Sequence, residues 1–309
     1  MKTGRWITGE KGTHRLIQLR NEVDKKDLSL APLFFEKKPS YSPWMSSNLL
    51  RDRVKSWERV PEALLNLNEN PQPILDDKAL SDIHNFFVSD GEVGLEAIGT
   101  ETNRNIRVAD PSNDWLNVSR RLFPAAISLI KDTRSTFDDR ISGLCQCIIP
   151  LVPTDITAGR SKQGRGFSTQ YFRGGIFLDP PDINEFQLDE LIINIAHELG
   201  HQALIVYQTA DKIIEGDPHF PIYSVIRKTE RPAILSLHAV VASAYMAEML
   251  EIIRENEHYS MARKEYLSLR LEENINLVRL GLSSLKAVSF TKLGKSICHE
   301  LQDLIDNIR

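Results

Sequence analysis

From residue 187 onwards, apolar side chains recur at intervals of three and four through four long stretches. In LDELIINIAHELGHQALIVYQ, Leu188, Leu191, Ile192, Ile195 and Leu199 share one helical face. RPAILSLHAVVASAYMAEMLEIIREN carries Pro232 in its first turn, where a missing N–H costs nothing. The stripe of SMARKEYLSLRLEENINLVRLGLSSL is Leu267, Leu271, Ile275, Val278, Leu282 and Leu285. The last stretch repeats Leu293, Ile297, Leu301, Leu304 and Ile308. Each stripe has the period of a helix that buries one face, so the spacing predicts a C-terminal helical bundle.

The chain before this bundle is more varied. Residues 1 to 60 are polar, interrupted by prolines, and anchored by Trp6, Phe34, Phe35, Trp44 and Trp57. Helical periodicity returns over 76–98 and 115–134, where Pro124 is expected to start or kink the second helix. GLCQCIIPLVP is a short apolar run bounded by Gly and Pro, which reads as a buried strand. The loop TDITAGRSKQGRGFS separates it from a second strand, TQYFRGGIFLDPP. There the Gly174-Gly175 pair marks a bend or a close backbone approach. The expected fold is α+β and mostly helical, with the HELGH helix beside a short sheet and a helical bundle after it. A mainly helical N-terminal region (1–135), open to a peptide-binding role, and a metal-site region (136–309) are expected to form one compact unit.

Composition narrows the partners. A formal net charge of -4 gives no basic field that would draw the chain to nucleic acid or to anionic lipid. The first residues, MKTGRWITGEKGTHRL, show no apolar signal-like core, so the expected location is cytoplasmic, with no membrane partner. Cys145, Cys147 and Cys298 are an odd, sparse set that suits packed thiols and not a disulfide framework.

Within the first apolar helix, His197 and His201 stand four apart with Glu198 directly after the first. Residues so spaced sit one above the other and can aim two imidazoles at one ion. Glu198 is turned by about 100°, within reach of a ligand beside that ion. A third ligand must come from elsewhere. The metzincin extension is excluded, because Leu204 and Tyr207 occupy its positions. Glu215, Glu248 and Glu251 are carboxylates on later segments, and His219 lies in the Pro-bounded loop GDPHFP. His238, a polar residue on an otherwise apolar helix, is the preferred third ligand.

HELGH followed by IYSVIRKTERPAILSLHAVVAS resembles the HExxH proteins encoded beside ribosomally made, modified peptides. That family's second block is matched in spacing by Tyr223, Ser224, Arg227, Arg231, Pro232, Leu237 and His238. The family's Pro-Trp pair is replaced here by Val225-Ile226, and the glycine after its histidine by Ala239. The likeness spans residues 175–250. It implies an Fe(II)- and 2-oxoglutarate-dependent oxygenase that hydroxylates a side-chain carbon, the β carbon by preference, of a precursor peptide.

The residues agree with that implication in one respect. Holding the distal carboxylate of 2-oxoglutarate needs a cation, and Arg227 and Arg231 stand just before the His238 helix. Glu198 would then orient a ligand or a water. The alternative is a zinc metallopeptidase with Glu198 as general base, and a third is a metal-stabilised binding module with no activity. For either enzyme, YFRGGIFL with Gly174 and Gly175 is read as an edge strand that aligns a peptide substrate by backbone pairing.

Overall fold

The computed structural model describes residues 7–30, 64, 72–89, 106–108, 115–153, 165–169, 173–182 and 184–308. Trp6, Phe34, Phe35, Trp44 and Trp57, named above as anchors, lie outside the described residues.

The fold is α+β and mostly helical. Helix α1 (Gly9–Leu30) is followed by β1 (Gln72–Pro73), α2 (Asp77–Ser89), β2 (Ile106–Val108), α3 (Trp115–Asp132) and α4 (Thr136–Leu144). Next come β3 (Cys147–Pro153), β4 (Arg165–Phe167), β5 (Gly175–Asp179) and the motif helix α5 (Gln187–Ala210). A hairpin of β6 (Pro221–Ser224) and β7 (Thr229–Pro232) leads into α6 (Ala233–Arg254), α7 (Met261–Ser284) and α8 (Lys292–Asn307).

The sheet order is β1-β3-β5-β4, with β2 pairing the far end of β3. β3 runs parallel to β1 and β5, whereas β4 is antiparallel to β5. Ile148, Ile149, Leu151 and Val152 are all buried, as expected of a strand covered on both faces. Cys145, just before this strand, and Cys147, its first residue, are buried free thiols, and burial pushes the Cys147 thiol up to about 12.

Pro124 stands inside α3, so of the two roles expected for it, starting the helix is excluded. Two further expectations change here. The loop before the second strand contains a strand of its own, β4. YFRGGIFL is not an edge: β5 lies between β3 and β4, and all five of its residues are buried. Among the described residues, the edge belongs to β4.

One hydrophobic core runs from Ile7 to Ile305 and takes in α3, α4, the sheet and the C-terminal helices. A polar network ties the ends of the chain into it. The Arg140 guanidinium, fully buried, donates to both oxygens of Glu248 at 2.8 and 3.0 Å and to Thr13 Oγ1 at 2.9 Å. Its faces lie against the rings of Phe137 and Tyr245. Glu300 on α8 accepts from the Ile7 amide at 3.0 Å and from the Thr8 hydroxyl at 2.6 Å. Thus α1 is built into the region that holds the motif.

The helix α6 is long and apolar enough to cross a membrane by length and composition, but 83% of its apolar window is buried inside the fold. Its apolarity is used in packing against α5 and α7.

Candidate metal centre

Helix α5 is buried along nearly its whole length, from Gln187 to Tyr207. Ion pairs fix its first turn to α7: Asp189 accepts from Arg263 at 2.6 and 2.8 Å, and Glu190 from Arg270 at 2.8 Å and from the Tyr266 hydroxyl. Acidic residues suit the positive end of a helix. Gln202, next to His201, holds the sheet. Its Oε1 accepts from the Gly174 amide at 2.8 Å, and its Nε2 donates to the Gly175 carbonyl at 3.0 Å. The Gly174 carbonyl in turn accepts from the amides of Gln146 and Cys147. The Gly174-Gly175 backbone is therefore engaged inside the protein, and the expectation that this pair aligns a substrate is corrected. Gly174 serves instead as a left-handed joint, with φ of 86°, where β5 meets α5.

Helix α6 packs antiparallel to α5, pairing His197 with Met246 and His201 with His238. Between these pairs lies Gly200, where a Cβ would come within 2.8 Å of the Ala242 Cα. The glycine of the motif lets the two helices approach closely enough for their histidines to touch.

The motif rings meet edge to face, with centroids 4.7 Å apart and planes at 80°. Nε2 of His197 and Nε2 of His201 are 3.1 Å apart. Two nitrogens bound to one ion at roughly 2.0–2.2 Å stand about 2.8–3.1 Å apart at adjacent octahedral positions and about 3.3–3.6 Å apart in a tetrahedron. Burial, with the nearby Arg227 charge, lowers the His197 pKa to about 4. Burial also holds His201 well below its usual value, helped by His197, His238, Arg227 and Arg231. Both imidazoles are neutral at pH 7, the state a metal requires.

Glu198 is 2% exposed, and burial raises its carboxyl to about 8 against the opposing influence of Ser168 and Arg227. Its Oε2 has no hydrogen-bond partner among the described residues. On the Oε1 side lies β4: a Cβ on Gly166 would sit 2.8 Å from that oxygen. Among the described residues, the donor atoms of His197, Glu198 and His201 lie within 4.8 Å of one another. Two nitrogens at ligand spacing and an orphaned buried carboxylate oxygen fit a bound metal ion.

His238 takes a different place from the one expected. Its Nδ1 lies 3.2 Å from Nδ1 of His201, the ring nitrogen that does not face His197. Its Nε2 is 2.6 Å from Gln208 Oε1. Of the other candidates, Glu248 is committed to Arg140, whereas Glu215 and His219 are exposed.

Arg227 and Arg231 arrive on the β6–β7 hairpin, whose turn is closed by Lys228 at φ of 54°. Arg227 is exposed and Arg231 partly buried. Arg227 acts on His197, Glu198 and His201, and Arg231 on His201 and His238. Partial burial lowers the Arg231 pKa, and repulsion from Arg227 adds to this. Neither arginine is paired with a carboxylate among the described residues.

Gln208, Met246 and Gly166 were not expected at the site. Periodicity held a signal for the first two. Gln208 lies seven residues after His201 and Met246 eight after His238, each on the same helical face as its histidine. Comparison with models of known protein families finds no match, and comparison with curated proteins finds none either.

Proposed function

We propose that this protein is an Fe(II)- and 2-oxoglutarate-dependent oxygenase that hydroxylates a side-chain carbon, the β carbon by preference, of a ribosomally made precursor peptide in the cytoplasm. The observation that carries the reading is the charge around the motif. Two neutral imidazoles that suit a cation lie beside two arginines with no carboxylate partner among the described residues, an arrangement suited to a small anion of high charge. A dicarboxylate satisfies both demands, one end at the ion and the other on a guanidinium.

In this reading His197 and His201 hold the iron, which with 2-oxoglutarate and dioxygen would supply the oxidising chemistry. Arg231, the more buried of the two, takes the distal carboxylate, and Arg227 adds to the field. Glu198, protonated near neutral pH when no ion is bound, can donate a hydrogen bond from its buried carboxyl to a ligand beside the ion. β4, an edge strand among the described residues, passes next to Glu198, where its backbone groups can pair with an extended peptide. Exposed Phe220, just before the hairpin, and Tyr223 on it add apolar surface.

The same β4 edge beside an orphaned Glu198 oxygen favours a second reading, a zinc metallopeptidase with Glu198 as base. The two readings part on the arginines. Calorimetric titration of 2-oxoglutarate into iron-loaded protein under anaerobic conditions should show binding that requires the metal. Arg231→Ala, or failing that Arg227→Ala, should weaken it at least about tenfold, the loss of a charge-assisted bidentate contact, with metal content unchanged. Equal affinity in both single variants and the parent protein would remove the oxygenase reading.

A further inference from the structure

We infer that Gln208 and His238 form a relay that fixes the tautomer of His201, acting as positioning residues outside the metal's own ligand set. This rests on the reading of His197 and His201 as metal ligands and is independent of which reaction the ion serves.

The relay starts at Gln208 Oε1, which has lone pairs only. It lies 2.6 Å from Nε2 of His238, so that nitrogen carries the proton and donates. A neutral imidazole has a single N–H, which leaves Nδ1 of His238 bare and able to accept. The atom 3.2 Å away is Nδ1 of His201, and this nitrogen therefore carries the proton. His201 is left with a bare Nε2, the nitrogen that faces His197.

His197 is set from the opposite side. Its Nδ1 is 3.2 Å from the Met246 sulfur, a weak acceptor with no proton to give. While no ion is bound, His197 donates from Nε2 to the bare Nε2 of His201. A cation between the rings displaces that hydrogen bond, takes both Nε2 lone pairs and leaves the His197 proton on Nδ1, against the thioether. The assignments of His201 and His238 are the same in both states. Both nitrogens of His238 are used in the relay, so a direct bond from His238 to the ion would require breaking one of its two contacts. Partners of this kind orient a metal-bound histidine and raise its basicity.

NMR of the full chain with isotope-labelled histidine decides the matter. In the metal-free protein at neutral pH, His201 should be an Nδ1–H tautomer and His238 an Nε2–H tautomer, with His197 passing from Nε2–H to Nδ1–H when the metal binds. After loading with an NMR-active cadmium isotope, the metal should couple to ring protons of His197 and His201 and to none of His238. Gln208→Leu should lower cadmium affinity about 10–100-fold and scramble the His238 tautomer, while Gln208→Glu, which keeps an acceptor, restores both. Cadmium coupling to His238, or unchanged affinity in Gln208→Leu, would overturn the relay. If Gln208→Leu does not fold, the spectra of the parent protein decide alone. A failed relay leaves the oxygenase reading standing with His238 as a ligand. A failed oxygenase reading leaves these spectra unaltered.

Discussion

Gly200 and Ala242 meet where α5 crosses α6, so closely that a Cβ on Gly200 would stand 2.8 Å from the Ala242 Cα and 3.2 Å from its amide nitrogen. The neighbouring atoms are backbone and cannot swing aside. Gly200→Ala should therefore push the helices apart, at a cost of about 1–3 kcal/mol for overpacking a tight contact. Since His201 and His238 flank the crossing, metal affinity should fall with stability. Thermal unfolding with and without zinc checks both, and a variant that matches the parent protein in each would show that the contact does not position the site.

The metal-free protein should lose stability in mild acid. His197 and His238 have folded-state values lowered to about 4, below an ordinary value of 6.5, because burial opposes their charged forms. Above pH 6.5 they are neutral in both folded and unfolded chains and contribute no pH dependence. As pH falls from 6.5 towards 4 the unfolded chain takes up protons that the folded one refuses, and stability drops. The loss should be on the order of 2 kcal/mol for each ring, allowing for their partial exposure. Urea unfolding across that range measures it. Bound zinc should blunt the acid loss above pH 5.

Arg140 and Glu248 join α4 to α6 in a buried ion pair. Arg140→Met alone strands the Glu248 carboxylate and should cost about 3–5 kcal/mol, whereas adding Glu248→Leu should recover much of that loss. Denaturant titration of the two variants tests it. Equal stability of the single and double variants would mean that Glu248 finds another partner.

Gly166→Ala places a methyl group against Glu198 Oε1 and Leu178. It should disturb the carboxylate without touching the two Nε2 atoms. The expected result is a turnover loss of about tenfold or more, consistent with displacement of a catalytic group by a fraction of an ångström, with zinc affinity within about twofold of the parent protein. Steady-state rates and metal titration separate the two effects.

Much of this fold could be read from residue order because its C-terminal helices carry simple apolar stripes. Helix α1 could not: the face it buries is Thr13, Leu16, Arg20 and Asp24, mostly polar residues satisfied by partners distant in sequence. β4 hides in a loop rich in glycine because Gly166 must pass beside Glu198. His197, Glu198 and His201 were legible from helical spacing alone, and the β6–β7 hairpin brings Arg227 and Arg231 within electrostatic reach of them. The place of His238 was not legible. Spacing locates it on α6 but does not say which nitrogen of His201 it meets, and that depends on the helix crossing at Gly200.

The most direct measurement is the mass of a product. A library of ribosomally encoded peptides is incubated with iron-loaded protein, 2-oxoglutarate and dioxygen, and the intact masses are read. The account requires a peptide that gains one oxygen, about 16 Da, a gain that vanishes when 2-oxoglutarate is omitted and is lost in His197→Ala and His201→Ala. Paired fragments whose masses sum to substrate plus water, formed with zinc and without 2-oxoglutarate, would contradict it and establish the peptidase instead.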